Sequence, residues 1–159
     1  MRHPLDLSKM TTASRKCAEF LLTWKPHLLS QAFMDPRLDS EACDLVVPIE
    51  SPTSDGARQI VVRMANEDLT VSFGSCTTRI EPCKEAEPYK SLTEFLDGIT
   101  NDSIVLYRRA NRSNSIWSLL YADKSRSIEE MLGRKFRWGS FEIQSWTGKS
   151  DQVIRLFSA

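Results

Sequence analysis

The sequence predicts an α+β fold, a single mainly antiparallel sheet of about six to seven strands with an N-terminal helix and a middle helix packed on one face. Three observations carry this expectation. Leu69, Val71 and Phe73 alternate with Thr70 and Ser72, the period-two pattern of a half-buried strand, and Ile60, Val61 and Val62 supply a β-branched partner across a turn at Asn66, Glu67 and Asp68. Strand runs joined by short polar connections recur at residues 103–107 with 116–121, and at 141–146 with 152–157. Amphipathic helical stripes stand between these runs. A hairpin is not stable alone in water, so those stripes are expected to cover the apolar face of the strands.

In chain order, residues 1–10 are expected to form a flexible arm and residues 11–159 a single domain. Thr11 or Thr12 can cap a helix that carries Cys17, Phe20, Leu21 and Trp24 at positions i, i+3, i+4 and i+7, with Arg15, Lys16 and Glu19 on the other side. Pro26 lacks a backbone donor. The helix therefore stops near Trp24 or restarts with Pro26 in its first turn, carrying Leu28, Leu29 and Phe33 onward. Leu45, Val46, Val47 and Ile49 read as a short strand interrupted by Pro48, which suits an edge position or a strand end. Ser51 to Gly56 is a dense cluster of turn formers.

Further on, Ser91 and Glu94 have the spacing of a capping box ahead of Leu92, Phe95, Leu96 and Ile99, with Gly98 and Asn101 marking the helix end. Ser127 and Glu130 repeat that spacing before a short helix through Ile128, Met131 and Leu132, closed by Gly133. The last two strands flank a tight turn at residues 147–150 that contains Gly148.

A chain of 159 residues has the size of one domain, and at that length a fold buries roughly 68–70% of its unfolded surface. The apolar share of 41% and the charged share of 26% exclude the composition of a disordered chain. The formal net charge is +0, yet residues 1–102 hold 11 Lys and Arg against 16 Asp and Glu, and residues 103–159 hold 10 against 5. Such asymmetry can steer an oppositely charged partner. The N-terminus has no apolar run of a secretory signal and the chain no apolar stretch of about 18 residues, so a cytoplasmic location with reduced thiols is expected.

Catalytic kits are absent from the sequence. It has no glycine-rich phosphate loop and no G-x-S-x-G elbow. His3 and His27 are far apart in sequence, and Cys17, Cys43, Cys76 and Cys83 lack the close spacing of a zinc site, so neither a metal nor another cofactor is expected. A thiol enzyme built on Cys76 or Cys17 with a histidine would need a pairing that sequence does not reveal. Basic residues interleaved with aromatics offer a nucleic-acid reading: Arg108, Arg109 and Arg112 at a hairpin tip, Lys124 and Arg126 after it, and Arg134, Lys135 and Arg137 beside Phe136 and Trp138.

Two segments resemble a known group. LTVSFGSCTTRIE, residues 69–81, resembles a strand of the form T-V-x-F-x-x-x-H-T-H-F-D, and IQSWTGKSDQVI, residues 143–154, resembles a closing segment of the form S-W-x-G-x-x-D. These forms are found in a group of poorly characterised bacterial proteins whose members look like immunity-type proteins, small cytoplasmic partners that block a toxin or effector. The likeness extends in pattern over about residues 45–157, and Trp146, Gly148 and Asp151 match as they stand. Thr77 and Arg79 stand where the motif has histidines, and Glu81 stands for its acid. The resemblance implies a non-enzymatic inhibitor whose partner is a protein. Its contact surface is expected to use Thr77, Arg79, Glu81, Arg108, Arg109, Arg112, Trp146 and Asp151. The alternative is an RNA-binding accessory protein using Arg108, Arg109, Arg112, Arg134, Arg137 and Trp138.

Overall fold

A computed structural model describes residues 5–36, 42–65, 67–81, 89–110, 115–123 and 125–157. Mixed helices and strands appear as expected, but the strands form two antiparallel sheets rather than one of six or seven strands. The chain divides into two compact units, one comprising Met1–Glu50, Gln59–Phe73 and Thr77–Thr93, the other Ser51–Arg58, Gly74–Cys76 and Glu94–Ala159. No helix of the described residues is long and apolar enough to cross a membrane.

The first sheet has five strands in sequence order: β1 (Phe33–Pro36), β2 (Cys43–Ile49), β3 (Ile60–Ala65), β4 (Asp68–Phe73) and β5 (Cys76–Ile80). Helix α1 (Thr12–Trp24) packs on β2 and β3. Its cap is Thr11, whose side chain accepts from the Ser14 amide, and Cys17, Ala18 and Leu21 are buried as the stripe requires. Ser14 is fully buried too, and its hydroxyl donates to the Met64 carbonyl and accepts from the Leu45 amide, joining the helix to both strands. Within the segment expected as an arm, Leu7–Lys9 form a 3-10 turn and Met10 is buried, bridging to Cys43.

The restart at Pro26 is a 3-10 helix, Pro26–Gln31, and Phe33 begins β1 instead of extending the helix. Pro48 lies inside β2, which is paired on both sides. The register explains the tolerance: β1 reaches only from Cys43 to Val46, so at Pro48 the β1 side is open and no donor is missed. The hairpin of β3 and β4 forms as expected, with Glu67 in the left-handed region of its turn. Gly74 and Ser75 then turn the chain into β5, a strand of its own. Exposed Thr77 and Arg79 on β5 are typical of an edge strand, and there the first sheet ends.

The second sheet runs β7 (Ser118–Tyr121), β6 (Ile104–Arg109), β8 (Gly139–Gln144) and β9 (Gln152–Leu156). Ile104, Val105, Leu106 and Tyr107 are all buried, so β6 is covered on both faces. On one face Val105, Tyr107, Phe141, Ile143 and Ile154 pack with Leu132 of helix α3 (Ile128–Lys135). On the other, Gly98 of helix α2 (Lys90–Thr100) lies against Ile104, and Phe95 meets Tyr121. Helix α2 starts at Lys90, with the Tyr89 carbonyl accepting from the Thr93 amide, which places Ser91 inside the first turn and not at the cap. The capping box of α3 is complete at Ser127 and Glu130, though the helix runs through Gly133 to Lys135. Gly148 takes φ +78 in the turn before β9, as expected there.

Candidate functional site

The residues singled out in the sequence fall into three local groups. Thr77 and Arg79 belong to the first unit. Arg79 pairs with Asp68 and its side chain remains 69% exposed, Thr77 shares a hydrogen bond of 2.8 Å with Ser72, and Glu81 is exposed just beyond β5. An ion pair so open to water adds little stability, which leaves Arg79 available for contact.

The second group surrounds the turn between β8 and β9. Trp146 and Asp151 lie here, and both are engaged in holding the turn. Arg58 is the centre: its Nη2 meets Asp151 Oδ2 at 2.7 Å, its Nε meets Asp55 Oδ2 at 3.0 Å, and its Nη1 donates to the Ser145 carbonyl at 3.0 Å. The Asp151 carboxylate also accepts from the Ser145 amide at 2.8 Å. Ser51 donates its hydroxyl to the Trp146 carbonyl, and Asp102, in the left-handed region after α2, accepts from the amide and hydroxyl of Thr147. The Arg58 side chain is only 12% exposed. Burial pulls its guanidinium pKa down, but the hydrogen bonds to Asp151 and Asp55 outweigh this and the net shift is upward. Trp146 is half-buried, and its Nε1 is buried with no hydrogen-bond partner among the described residues. Asp151 therefore acts first as a structural counter-ion.

The third group joins the end of β6 to the segment between α3 and β8. Arg108 and Arg109 are neighbours on β6 and point to opposite faces of the sheet. Arg108 is committed: its Nε meets Glu142 at 2.7 Å, and its guanidinium lies 4.6 Å from the Trp117 ring centre. Arg109 stands among three rings, 5.2 Å from Phe136 and 5.8 Å from both Trp138 and Phe141. No carboxylate of the described residues forms an ion pair with it. Lys135 lies 5.0 Å from the Tyr107 ring and 5.8 Å from Phe136, and donates to the Tyr107 hydroxyl. Trp138 is 60% exposed, and Arg134 and Arg137 are exposed beside it. Arg134 and Lys135 occupy the last turn of α3, where cations complement the helix dipole. Arg112 and Lys124 lie outside the described residues; Arg126 pairs with Asp123.

The thiols offer little nucleophile. Burial pushes Cys17 up to about 12 and raises Cys76, whose Sγ donates to the Trp117 carbonyl at 3.1 Å. Both shifts disfavour the thiolate. His27 is exposed, while His3 and Cys83 lie outside the described residues. Among the described residues no three His, Cys, Asp or Glu side chains are grouped to hold a metal ion.

Sequence reasoning named Arg109, Phe136 and Trp138 but not Phe141 as their common floor, and it did not find Arg58. The one local signal for Arg58 was Asp55 three residues before it, the spacing of their ion pair. Compared with known protein families, curated proteins and solved structures, the chain matches none.

Proposed function

We propose that this protein acts by binding another protein, as an immunity-type inhibitor that covers the working surface of a toxin or effector, and not by chemistry on a substrate. One observation carries the reading: a guanidinium with no carboxylate partner among the described residues, held by three aromatic rings, with an exposed tryptophan beside it. Trp and Arg are the residues enriched at the energetic centres of protein interfaces. The rings hold Arg109 in place before any partner arrives, so little side-chain freedom is lost on binding. A partner that fits presents a carboxylate to Arg109 and an apolar surface to Trp138. The resemblance of residues 69–81 and 143–154 to immunity-type proteins supplies the inhibitor role. On the first unit, Thr77, Arg79 and Glu81 form the second candidate contact.

The same cluster supports a second reading, a single-stranded RNA surface, because Arg109, Arg134, Lys135 and Arg137 stand among stacking rings. Salt separates the two. Phosphate contacts weaken steeply and linearly in log salt, whereas an interface with an apolar centre changes little. Capture of partners from nuclease-treated lysate by the wild type, Arg109→Ala and Trp138→Ala tests the proposal. A stoichiometric protein lost with both variants supports it; RNA recovered only from untreated lysate overturns it.

A further inference from the structure

The face of the second sheet that carries Leu106, opposite the α3 face, holds an open cleft of about 300 Å³ that the Arg109 cluster does not use. Leu106 and Gln144, cross-strand partners in β6 and β8, line it together with Trp117 and the turn residues Ala57, Gly74 and Ser75. The cleft is built in advance. Gly74 takes φ +56, and a Cβ there would stand 2.6 Å from the Ala57 carbonyl oxygen and 3.0 Å from Leu106 Cδ1, so the two turns close over Leu106 only around a glycine. Trp117 is fixed twice, by the Cys76 thiol on its carbonyl and by the Arg108 guanidinium on its ring.

Its chemistry is neutral. Among the described residues no charged side chain lines it, and Arg108 beside Trp117 already has Glu142. Among the described residues neither the Gln144 carboxamide nor the Ser75 hydroxyl has a hydrogen-bond partner. A charged ligand would lose hydration without compensation, and a wholly apolar one would strand the amide. A flat ring with a donor and an acceptor side by side on its edge meets all three demands: indole for stacking, carboxamide for paired hydrogen bonds, and a volume at the small end of ligand sites.

We propose that this cleft binds the uncharged ring of a nucleobase, stacked on Trp117 and read by Gln144, with adenine the best match because a carboxamide pairs with its adjacent amino group and ring nitrogen. The base arrives either as a free nucleoside or as an unstacked base of a single strand; the ring chemistry is the same. The site lies on a different face from Arg109 and does not depend on the protein-binding reading.

The test is saturation-transfer NMR and calorimetry on the full chain with adenosine, uridine and a short oligoadenylate, comparing the wild type with Gln144→Leu and Ser75→Phe. Ser75 is exposed, so the second variant fills the cleft from outside without disturbing the core. Saturable adenosine binding, weakened roughly tenfold or more by Gln144→Leu and abolished by Ser75→Phe, is the expected result, with uridine weaker. Oligoadenylate binding with the same dependence on both variants, and none by adenosine, would place the base on a strand. Absence of binding by all three at about 5 mM, or binding that both folded variants retain, overturns the proposal.

Discussion

Replacing Arg58 with alanine removes the group on which the β8–β9 turn is fastened, and the loss is large enough to measure. Breaking a buried ion pair by deleting one partner costs about 3–5 kcal/mol, because the remaining charge stays dry. Here Arg58 is nearly buried, but the Asp151 and Asp55 side chains are 33% and 40% exposed and recover part of their hydration. The buried Ser145 residue also loses a charged donor on its carbonyl, a term of roughly 1 kcal/mol. Together these give a destabilisation of about 2–3 kcal/mol in urea unfolding at neutral pH. A double-mutant cycle with Asp151→Asn should show coupling, and a cycle with the more exposed Asp55 should show less. The Asp55 carboxyl is held below its ordinary range by the Ala57 amide and the Arg58 side chain, so its contribution is complete above that range and drains as pH falls through the lowered value. A cost under about 0.5 kcal/mol for Arg58→Ala, the scatter of a surface substitution, would refute the role given to this network.

Three further outcomes are expected. Cys17, held neutral in the fold up to about 12 against an ordinary value of 9.0, makes the unfolded chain the better proton donor at high pH. Through Cys17 the stability of the reduced protein should therefore fall between pH 9 and 12 by up to about 1.4 kcal/mol per pH unit, on top of the smaller falls from the raised Cys76 and Tyr89, and Cys17→Ala should make the slope shallower; equal slopes for wild type and variant in denaturant titrations would contradict it. Leu132→Ala opens a cavity under the second sheet where Phe141 and Ile143 pack, with an expected cost of about 2–5 kcal/mol by calorimetry. Ser127→Ala breaks a complete capping box on an eight-residue helix and should cost about 1 kcal/mol, read as a drop in unfolding midpoint.

The elements that sequence predicted well are those whose signals are local. Thr11 before an i, i+3, i+4, i+7 stripe, Ser127 three residues before Glu130, and the alternation of residues 69–73 each state one element and its buried face, and the structure has all three. Division into two sheets was not legible, because nothing in the residues of β5 or β6 states that they pair with different neighbours. Gly74 and Ser75 did carry the signal of a two-residue turn, but the run from Leu69 to Ile80 looks continuous when its apolar residues alone are followed. β1 has no signature in sequence, since four residues ending in proline show no periodicity and Phe33 also completes a helical spacing from Leu29. At the candidate site, the aromatics and cations of residues 134–138 were visible in sequence, and so was Arg109. Their meeting was not, since it depends on Arg109 and Phe141 being register partners across β6 and β8. The pairing of Arg58 with Asp151 was hidden for the same reason: 93 positions separate them, and only the fold brings them within 2.7 Å.

The most direct measurement of the central proposal is the affinity of the captured protein partner for the wild type, Arg109→Ala and Trp138→Ala, by calorimetry at about 50 and about 200 mM salt. The proposal predicts one-to-one binding, a loss of about 2 kcal/mol or more with each variant, and little change in affinity between the two salt concentrations. Full affinity in both variants, or a fall of about a thousandfold between those salt concentrations, would contradict a protein interface centred on the Arg109 cluster.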